Sequence, residues 1–387
     1  MRRWKGAAVA AATVALVAPP TAAYAGGDAA AADGGVTTVI GGLEGPRQLD
    51  SFYPGHLLAA ESDSGEISVL DLADGGVKTL FAVGPAGTVN PQGIGYGDGQ
   101  LFIALGETGD PDNPGPPPDT TRPPTAPRCE LSSALPPGPG LLVTTPEGKV
   151  LARCDLFAAE LFFNPDGQVY FDPATGEQAD SISNPYAVLV QDSRVLVADA
   201  GANTVWSIDR HNGEIAPFFA LPVITGGVCG QTPNNTAPPS NSCDPTPTGV
   251  VEGPDGTLYV SGLSGLAQGE GRIYVLDQRG TVLRTIDQGL NPLTGIAVDG
   301  RGTIFASEIF GTVGAESFFT DPTQAAGRLV RIDGYGNRTY APVGTPQGLE
   351  FVDGSLYAAA LSLGPPPPAP PIGQVVRVGR DAFTPGT

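Results

Sequence analysis

One pattern recurs six times along this chain: a proline-led apolar segment followed by further short strands. The lead segments are Pro46-Arg47-Gln48-Leu49, Pro91-Gln92-Gly93-Ile94, Pro185-Tyr186-Ala187-Val188, Pro247-Thr248-Gly249-Val250, Pro292-Leu293-Thr294-Gly295-Ile296 and Pro346-Gln347-Gly348-Leu349. After each, the pattern predicts a second strand, over His56–Ser62, Leu101–Glu107, Val195–Ala200, Leu258–Ser261, Ile304–Glu308 and Leu356–Leu361. A third follows over Glu66–Leu72, Leu141–Thr145, Thr204–Asp209, Arg272–Asp277, Arg328–Asp333 and Gln374–Val378. The first five units add a fourth, over Val77–Val83, Val150–Leu156, Ile215–Leu221, Val282–Ile286 and Arg338–Val343.

A unit of this kind cannot bury its faces alone, and stacked copies bury them against one another. Six such units predict an all-β fold, a single six-bladed β-propeller over residues 36–382. The sixth unit lacks its own fourth strand. Val36-Thr37-Thr38-Val39-Ile40, which precedes the first unit, is β-branched and has no blade of its own. It is expected to complete the last blade and close the ring, leaving no open sheet edge between first and last blade. Residues 26–35 then form a flexible mature N-terminus and 383–387 a short tail.

The leader is read from three features in order. Met1-Arg2-Arg3-Trp4-Lys5 is basic, Ala7–Ala18 is apolar, and Ala23-Tyr24-Ala25 is a small-residue cleavage site. That order marks residues 1–25 as a secretory signal peptide, and the apolar run is too short for a transmembrane anchor. The chain carries 40 Asp plus Glu against 20 Lys plus Arg, a formal net charge of −20. Such an acidic surface argues against nucleic acid and anionic membranes as partners. It serves solubility or attracts basic partners and cations. Cys129, Cys154, Cys229 and Cys243 are an even set in an exported chain and admit three disulfide pairings. Proximity in sequence favours Cys129–Cys154 and Cys229–Cys243.

Strand direction alternates within a blade, so second-to-third and fourth-to-first connections share one face. The long connections, Thr108–Gly140, Ala158–Asn184, Pro222–Asp244, Ile309–Gly327 and Leu363–Gly373, all sort to that face. Long loops on a rigid scaffold mark it as the expected functional face. Glu61, Glu107, Asp199 and Glu308 end second strands there, as an expected acidic rim. Glu44, Asn90, Asn184, Asp244 and Asn291 lead into innermost strands there. Oxygens from Glu44, Asn90, Asn184 and Asn291 converging on a central channel suit a hard divalent cation, Ca²⁺ or Mg²⁺. The same residue types before proline also serve as ordinary turn residues. Asp110, Asp112, Asp119, Asp166, Asp172 and Asp180 lie in the long loops without the spacing of a Ca²⁺-binding loop.

Only two histidines are present, His56 in a second strand and His211 in an opposite-face turn. They are not placed to work together, and no G-x-S-x-G elbow accompanies them, so Ser–His and Cys–His catalysis have no support. No phosphate-binding glycine pattern opens a helix.

Asn184-Pro185-Tyr186 with Val195–Gly201, Pro247–Val250 with Gly253–Val260, and Asn164-Pro165-Asp166-Gly167 resemble the repeats of secreted ScyD/ScyE proteins. The resemblance runs from about Gly42 to Val378. It implies an NHL-like propeller and export, and it implies no settled reaction. Streptogramin lyases resemble the chain in their P-x-G and D-G-x-L-Y repeats, but their W-F-T-E signature and His/Glu set are missing. Gluconolactonase-like propellers are similar in architecture and hold a divalent metal with Glu, Asn and Asp. That likeness implies the same role for Glu44, Asn90, Asn184 and Asn291.

These features point to a secreted or cell-wall-associated recognition module that meets an unknown ligand or protein through its long-loop face. The alternative is a metal-dependent lactonase or lyase with a cation at the channel mouth. A cofactor-dependent sugar dehydrogenase would need a well-placed base and more cations than this chain supplies.

Overall fold

The computed structural model describes residues 35–108, 119–136, 138–170, 181–234, 241–320, 326–363 and 369–386. The expected leader lies outside them. Six antiparallel sheets follow one another along the chain. Blade one is Pro46–Ser51, His56–Glu61, Glu66–Asp71 and Val77–Ala82, from the axis outwards. Blade two is Pro91–Gly97, Gln100–Leu105, Gly140–Thr144 and Val150–Asp155. Blade three is Pro185–Val190, Arg194–Asp199, Thr204–Asp209 and Ile215–Ala220. Blade four is Pro247–Glu252, Leu258–Gly262, Arg272–Leu276 and Val282–Ile286. Blade five is Leu293–Val298, Ile304–Glu308, Arg328–Ile332 and Arg338–Pro342.

Blade six has Leu349–Val352, Ser355–Ala360 and Gly373–Val378, and its outermost strand is Val36–Leu43 from the other end of the chain. The register runs from Val36 opposite Val378 to Leu43 opposite Gly373. The expected closure is therefore the observed one. Innermost strands touch in blade order, and blade six touches blade one.

Six apolar clusters replace a single core, one at each blade-to-blade interface. Leu57 and Ala59 pack with Tyr357 and Val375 between blades one and six. Their strand neighbours Leu58 and Ala60 pack with Ile94 and Ile103 between blades one and two. The two-residue side-chain period of a strand thus feeds both neighbours at once. Trp206, fully buried, anchors the interface of blades two and three with Phe102 and Val143.

Both disulfides form as sequence proximity favours, Cys129–Cys154 and Cys229–Cys243. The first insertion, however, leaves the long-loop face. Glu130–Leu131 adds a fifth strand outside Val150–Asp155, and Cys129 N–H reaches the Gly213 carbonyl at 2.8 Å on the opposite side of blade three. An outer edge is covered in this way, as it is where Thr384–Pro385 pairs with the outermost strand of blade five. Two long connections also hold helices, Leu156–Phe163 and Ala315–Thr320. Asp155 caps the first through Ala158 N–H, and Asn164 ends it in the left-handed conformation.

A plugged channel and a candidate site at its long-loop mouth

The proline-led segments encode a bulge. In blade two Pro91 pairs with Leu105 but Gly93 with Ala104, leaving Gln92 unpaired. The same skip leaves Tyr186, Thr248 and Thr294 unpaired in blades three to five, and both Arg47 and Gln48 in blade one. A bulge re-aims the unpaired side chain, here towards the axis. Glycine follows where the next blade is too close for a side chain. A Cβ on Gly93 would lie 2.8 Å from the Tyr186 carbonyl oxygen, and one on Gly295 2.2 Å from that of Gln347.

These side chains meet across the ring. Gln48 Nε2 reaches from blade one to the carbonyls of Thr248 at 3.0 Å and Thr294 at 3.1 Å, in blades four and five. Thr248 Oγ1 donates to the Leu293 carbonyl and Thr294 Oγ1 to that of Pro346, both at 2.7 Å. The Tyr186 hydroxyl donates to Gln347 Oε1. Gln48, Gln92, Tyr186, Thr248, Thr294 and Gln347 are all buried. The channel is plugged by a hydrogen-bonded polar layer, which separates its two mouths.

On the long-loop side, three strand-end acids do one job. Glu61 Oε2 accepts Glu44 N–H at 2.7 Å, Asp199 Oδ1 accepts Asn184 N–H at 2.6 Å, and Glu308 Oε1 accepts Asn291 N–H at 2.9 Å. Each fastens the end of a second strand to the start of its own innermost strand. Their second oxygens are also engaged: Ser68 Oγ donates to Glu61, Ser183 Oγ and Trp206 Nε1 to Asp199, and Arg328 Nε to Glu308 at 2.5 Å. With 3 %, 0 % and 0 % exposure, Glu61, Asp199 and Glu308 are buried rather than displayed on a rim. Burial holds the carboxyls of Glu61 and Asp199 above their ordinary range.

Glu107 differs because of register. Leu105 occupies the place opposite Pro91, so Glu107 lies two residues past it and has no strand start to fasten. Its carboxylate is only partly buried and accepts the Ser181 hydroxyl at 2.5 Å. Burial again pushes this carboxyl up, against that hydrogen bond. Around it, Asn90 Nδ2 donates to the Glu107 carbonyl at 2.9 Å. Asn184 Oδ1 accepts both Gln92 Nε2 at 2.7 Å and Glu107 N–H at 3.0 Å. Glu107, Ser181, Asn184 and Asn90 thus share one mouth above the plug.

Of the four residues expected to converge on a cation, Glu44, Asn90, Asn184 and Asn291, two have their side-chain oxygens committed to N–H donors. The Asn184 oxygen has both lone pairs taken by N–H donors. Asn291 is engaged at the seam of blades four and five, its Nδ2 on Glu308 of its own blade and its oxygen on the Gly269 N–H of blade four at 3.2 Å. Among the described residues no three His, Cys, Asp or Glu side chains group as metal ligands. Of the four, Asn184 and Asn291 thus have their side-chain oxygens engaged within the protein.

Further out on the same face, a polar latch joins two long loops. Asp166 accepts Asn203 Nδ2 at 3.0 Å, while Gln168 Nε2 and Asn234 Nδ2 both donate to Asp244 Oδ1. Burial, with the Asp244 charge adding to it, pushes the Asp166 carboxyl up to about 6. Asp119 caps its own turn through Thr121 N–H, and Asp110, Asp112, Asp172 and Asp180 lie outside the described residues. At the other mouth, Asp50 accepts Tyr96 N–H at 2.6 Å and its charge acts on Glu350 of blade six. His56 binds the Pro54 carbonyl at 3.0 Å within its own hairpin, and His211 stands exposed in its turn.

Fold and site define a six-bladed β-propeller with a plugged channel and a polar mouth on its long-loop face. No protein-family model matches the chain, and no curated protein is similar to it. Among solved structures it is similar to the PQQ-bound aldose sugar dehydrogenase of Streptomyces coelicolor, at 11 % identity and a TM-score of 0.51, over 89 % of this chain and 97 % of that one. It is also similar to the virginiamycin B lyase of Staphylococcus aureus, at 15 % and 0.46, over 86 % and 94 %. A gluconolactonase of Xanthomonas campestris matches at 11 % and 0.48, over 89 % of each chain. The likeness to the first of these shows a shared fold and nothing further.

Proposed function

We propose that this chain is a secreted enzyme of lactonase or lyase type that acts on a small molecule at the long-loop mouth, with Glu107 as its acid–base group. The observation that carries the reading is the state of Glu107. It is the one strand-end acid spared from fastening a blade, it remains partly exposed, and burial raises its proton affinity. A carboxyl so tuned is suited to general acid–base work near neutral pH. Lactone hydrolysis and β-elimination both turn on a base that takes a proton, from water or from carbon. Ser181 orients the carboxylate, Asn184 and Asn90 fix its backbone, and the plug below keeps the pocket from draining through the channel. Export is supported by the leader pattern of residues 1–25 and by two disulfides among the described residues. A ScyD/ScyE-like secreted propeller is compatible with this role.

A recognition module is the second reading, favoured by the Asp166–Asn203 and Gln168–Asp244 bonds that join separate loops into one surface. The two are separated by assaying the mature chain against glucono-δ-lactone and a panel of lactones by proton release, beside Glu107→Gln. Turnover that falls about a hundredfold or more in the variant, with an unchanged melting temperature, supports the enzyme. Equal rates in both proteins, or no turnover by the wild type together with ligand contacts confined to the loops, would leave recognition as the function.

A further inference from the structure

Two donor groups on the long-loop side, the Asn184 amide NH₂ and the terminal nitrogens of Arg47, make no hydrogen bond among the described residues. Asn184 Oδ1 is locked inward by Gln92 Nε2 and by the backbone N–H of Glu107, which can only donate. The orientation of the amide is thereby settled, and its NH₂ group faces away from both. That group makes no hydrogen bond among the described residues, although Asn184 is partly buried. Gly106 makes the lock possible, because a Cβ there would lie 1.9 Å from Gln92 Nε2 and 2.5 Å from Asn184 Oδ1.

The second donor is Arg47, one of the two residues in the blade-one bulge. Its Nε donates to Ser62 Oγ at 2.8 Å, and its terminal nitrogens pair with no carboxylate among the described residues. Its charge acts on the Tyr186 hydroxyl, which crosses the channel to Gln347 of blade six. In a chain of net charge −20, a half-buried guanidinium with no carboxylate partner among the described residues is a group able to meet an anion.

We propose that the long-loop mouth is an anion site that holds a carboxylate or a developing oxyanion of a hydroxy-acid-type ligand between the Arg47 guanidinium and the Asn184 amide. This deepens the reading above and rests on it for the choice of face. Planar guanidinium and amide donors match a two-oxygen acceptor. In a lactone reaction these donors would hold the carbonyl oxygen as it gains charge, opposite Glu107.

Calorimetric titration with sodium D-gluconate, and with sorbitol as its neutral counterpart, tests the proposal. Asn184→Asp is the informative variant. It keeps the oxygen that accepts Gln92 and Glu107, and it exchanges only the outward NH₂ for an anionic oxygen. Gluconate is expected to bind the wild type at least about tenfold more tightly than sorbitol does, and Asn184→Asp and Arg47→Gln each to weaken it about tenfold or more. Calcium chloride is expected to give no binding heat. Absence of gluconate binding, equal binding of gluconate and sorbitol, unchanged affinity in either variant, or stoichiometric Ca²⁺ uptake would each overturn the anion site. If Glu107→Gln and the wild type both lack turnover while gluconate still binds and both variants weaken it, the enzymatic reading alone fails.

Discussion

The side-chain oxygen of Asn184, at the start of blade three, accepts the backbone N–H of Glu107, just beyond the second strand of blade two, at 3.0 Å. Two blades are thereby tied at the point where the candidate site opens. The backbone of Glu107 is held by the neighbouring blade, and its carboxylate accepts the Ser181 hydroxyl.

Gly106→Ala tests that tie. The new Cβ would displace Gln92 and with it the Asn184 amide. A loss of ~1–3 kcal/mol in chemical denaturation is expected, from overpacking, together with weaker gluconate binding. Gly138→Ala, where a Cβ meets nothing within 4 Å, is the control and should stay within ~0.5 kcal/mol of wild type. Equal stability of the two variants would show that the crowding is relieved without cost.

The fastening role of the strand-end acids predicts an order of stabilities. Asp199 accepts Ser183 Oγ, Trp206 Nε1 and the N–H groups of Asn184 and Ala202 while fully buried. Asp199→Ala strands these four donors and should cost ~3–5 kcal/mol. Glu107→Gln leaves a partly exposed amide at the mouth and should cost less than ~1 kcal/mol. Urea denaturation of both reads the difference, and comparable losses would contradict a distinct role for Glu107.

Much of this architecture is legible in the chain because strands alternate and because each unit starts with proline. The closing strand is legible too, since Val36–Ile40 is β-branched and unclaimed by any unit. What spacing does not reveal is register. Glu61, Glu107, Asp199 and Glu308 all end apolar runs, yet Leu105 and not Glu107 stands opposite the lead proline of blade two. Nor does a Pro-x-Gly string announce that its middle residue crosses the channel, because the contact from Gln48 to Thr248 spans 200 residues. The helix Leu156–Phe163 is hidden because Glu160 is its one polar residue and is itself buried, so the sequence lacks the polar face of a surface helix. The first insertion was expected on the long-loop face, and only the pairing of Glu130–Leu131 shows that it runs down the outside of blade two.

Stability should fall as pH rises, through the pair at the opposite mouth. Burial pushes Asp50 up to about 7, and burial with the Asp50 charge pushes Glu350 well above its ordinary range. The unfolded chain loses these protons near pH ~4. The folded state retains them, so their stabilising contribution is complete below pH ~4 and is lost as the pH climbs through about 7. Glu350→Gln removes one charge of the pair without changing its shape. It should match wild type at pH 4 and exceed it by ~1–2 kcal/mol at pH 8, by thermal melts across that range. Parallel pH curves would show that the two carboxyls do not share the burden.

The closing strand offers a simple check. Ile40 is 2 % exposed at the interface of blades six and one, whereas Val36 on the same strand is 37 % exposed. Ile40→Ala should cost ~2–4 kcal/mol and Val36→Ala less than ~0.5 kcal/mol, by urea denaturation. Similar values would mean that the strand is held by its backbone ladder alone.

That strand also sets the schedule on which the molecule can form. Val36–Leu43 is made before any other strand of the ring, but its partner Gly373–Val378 is made after all five other blades, so no ring exists until the sixth has been synthesised. Pairings this remote in sequence form slowly. No shorter piece of the propeller can therefore lock shut before the sixth blade is in place.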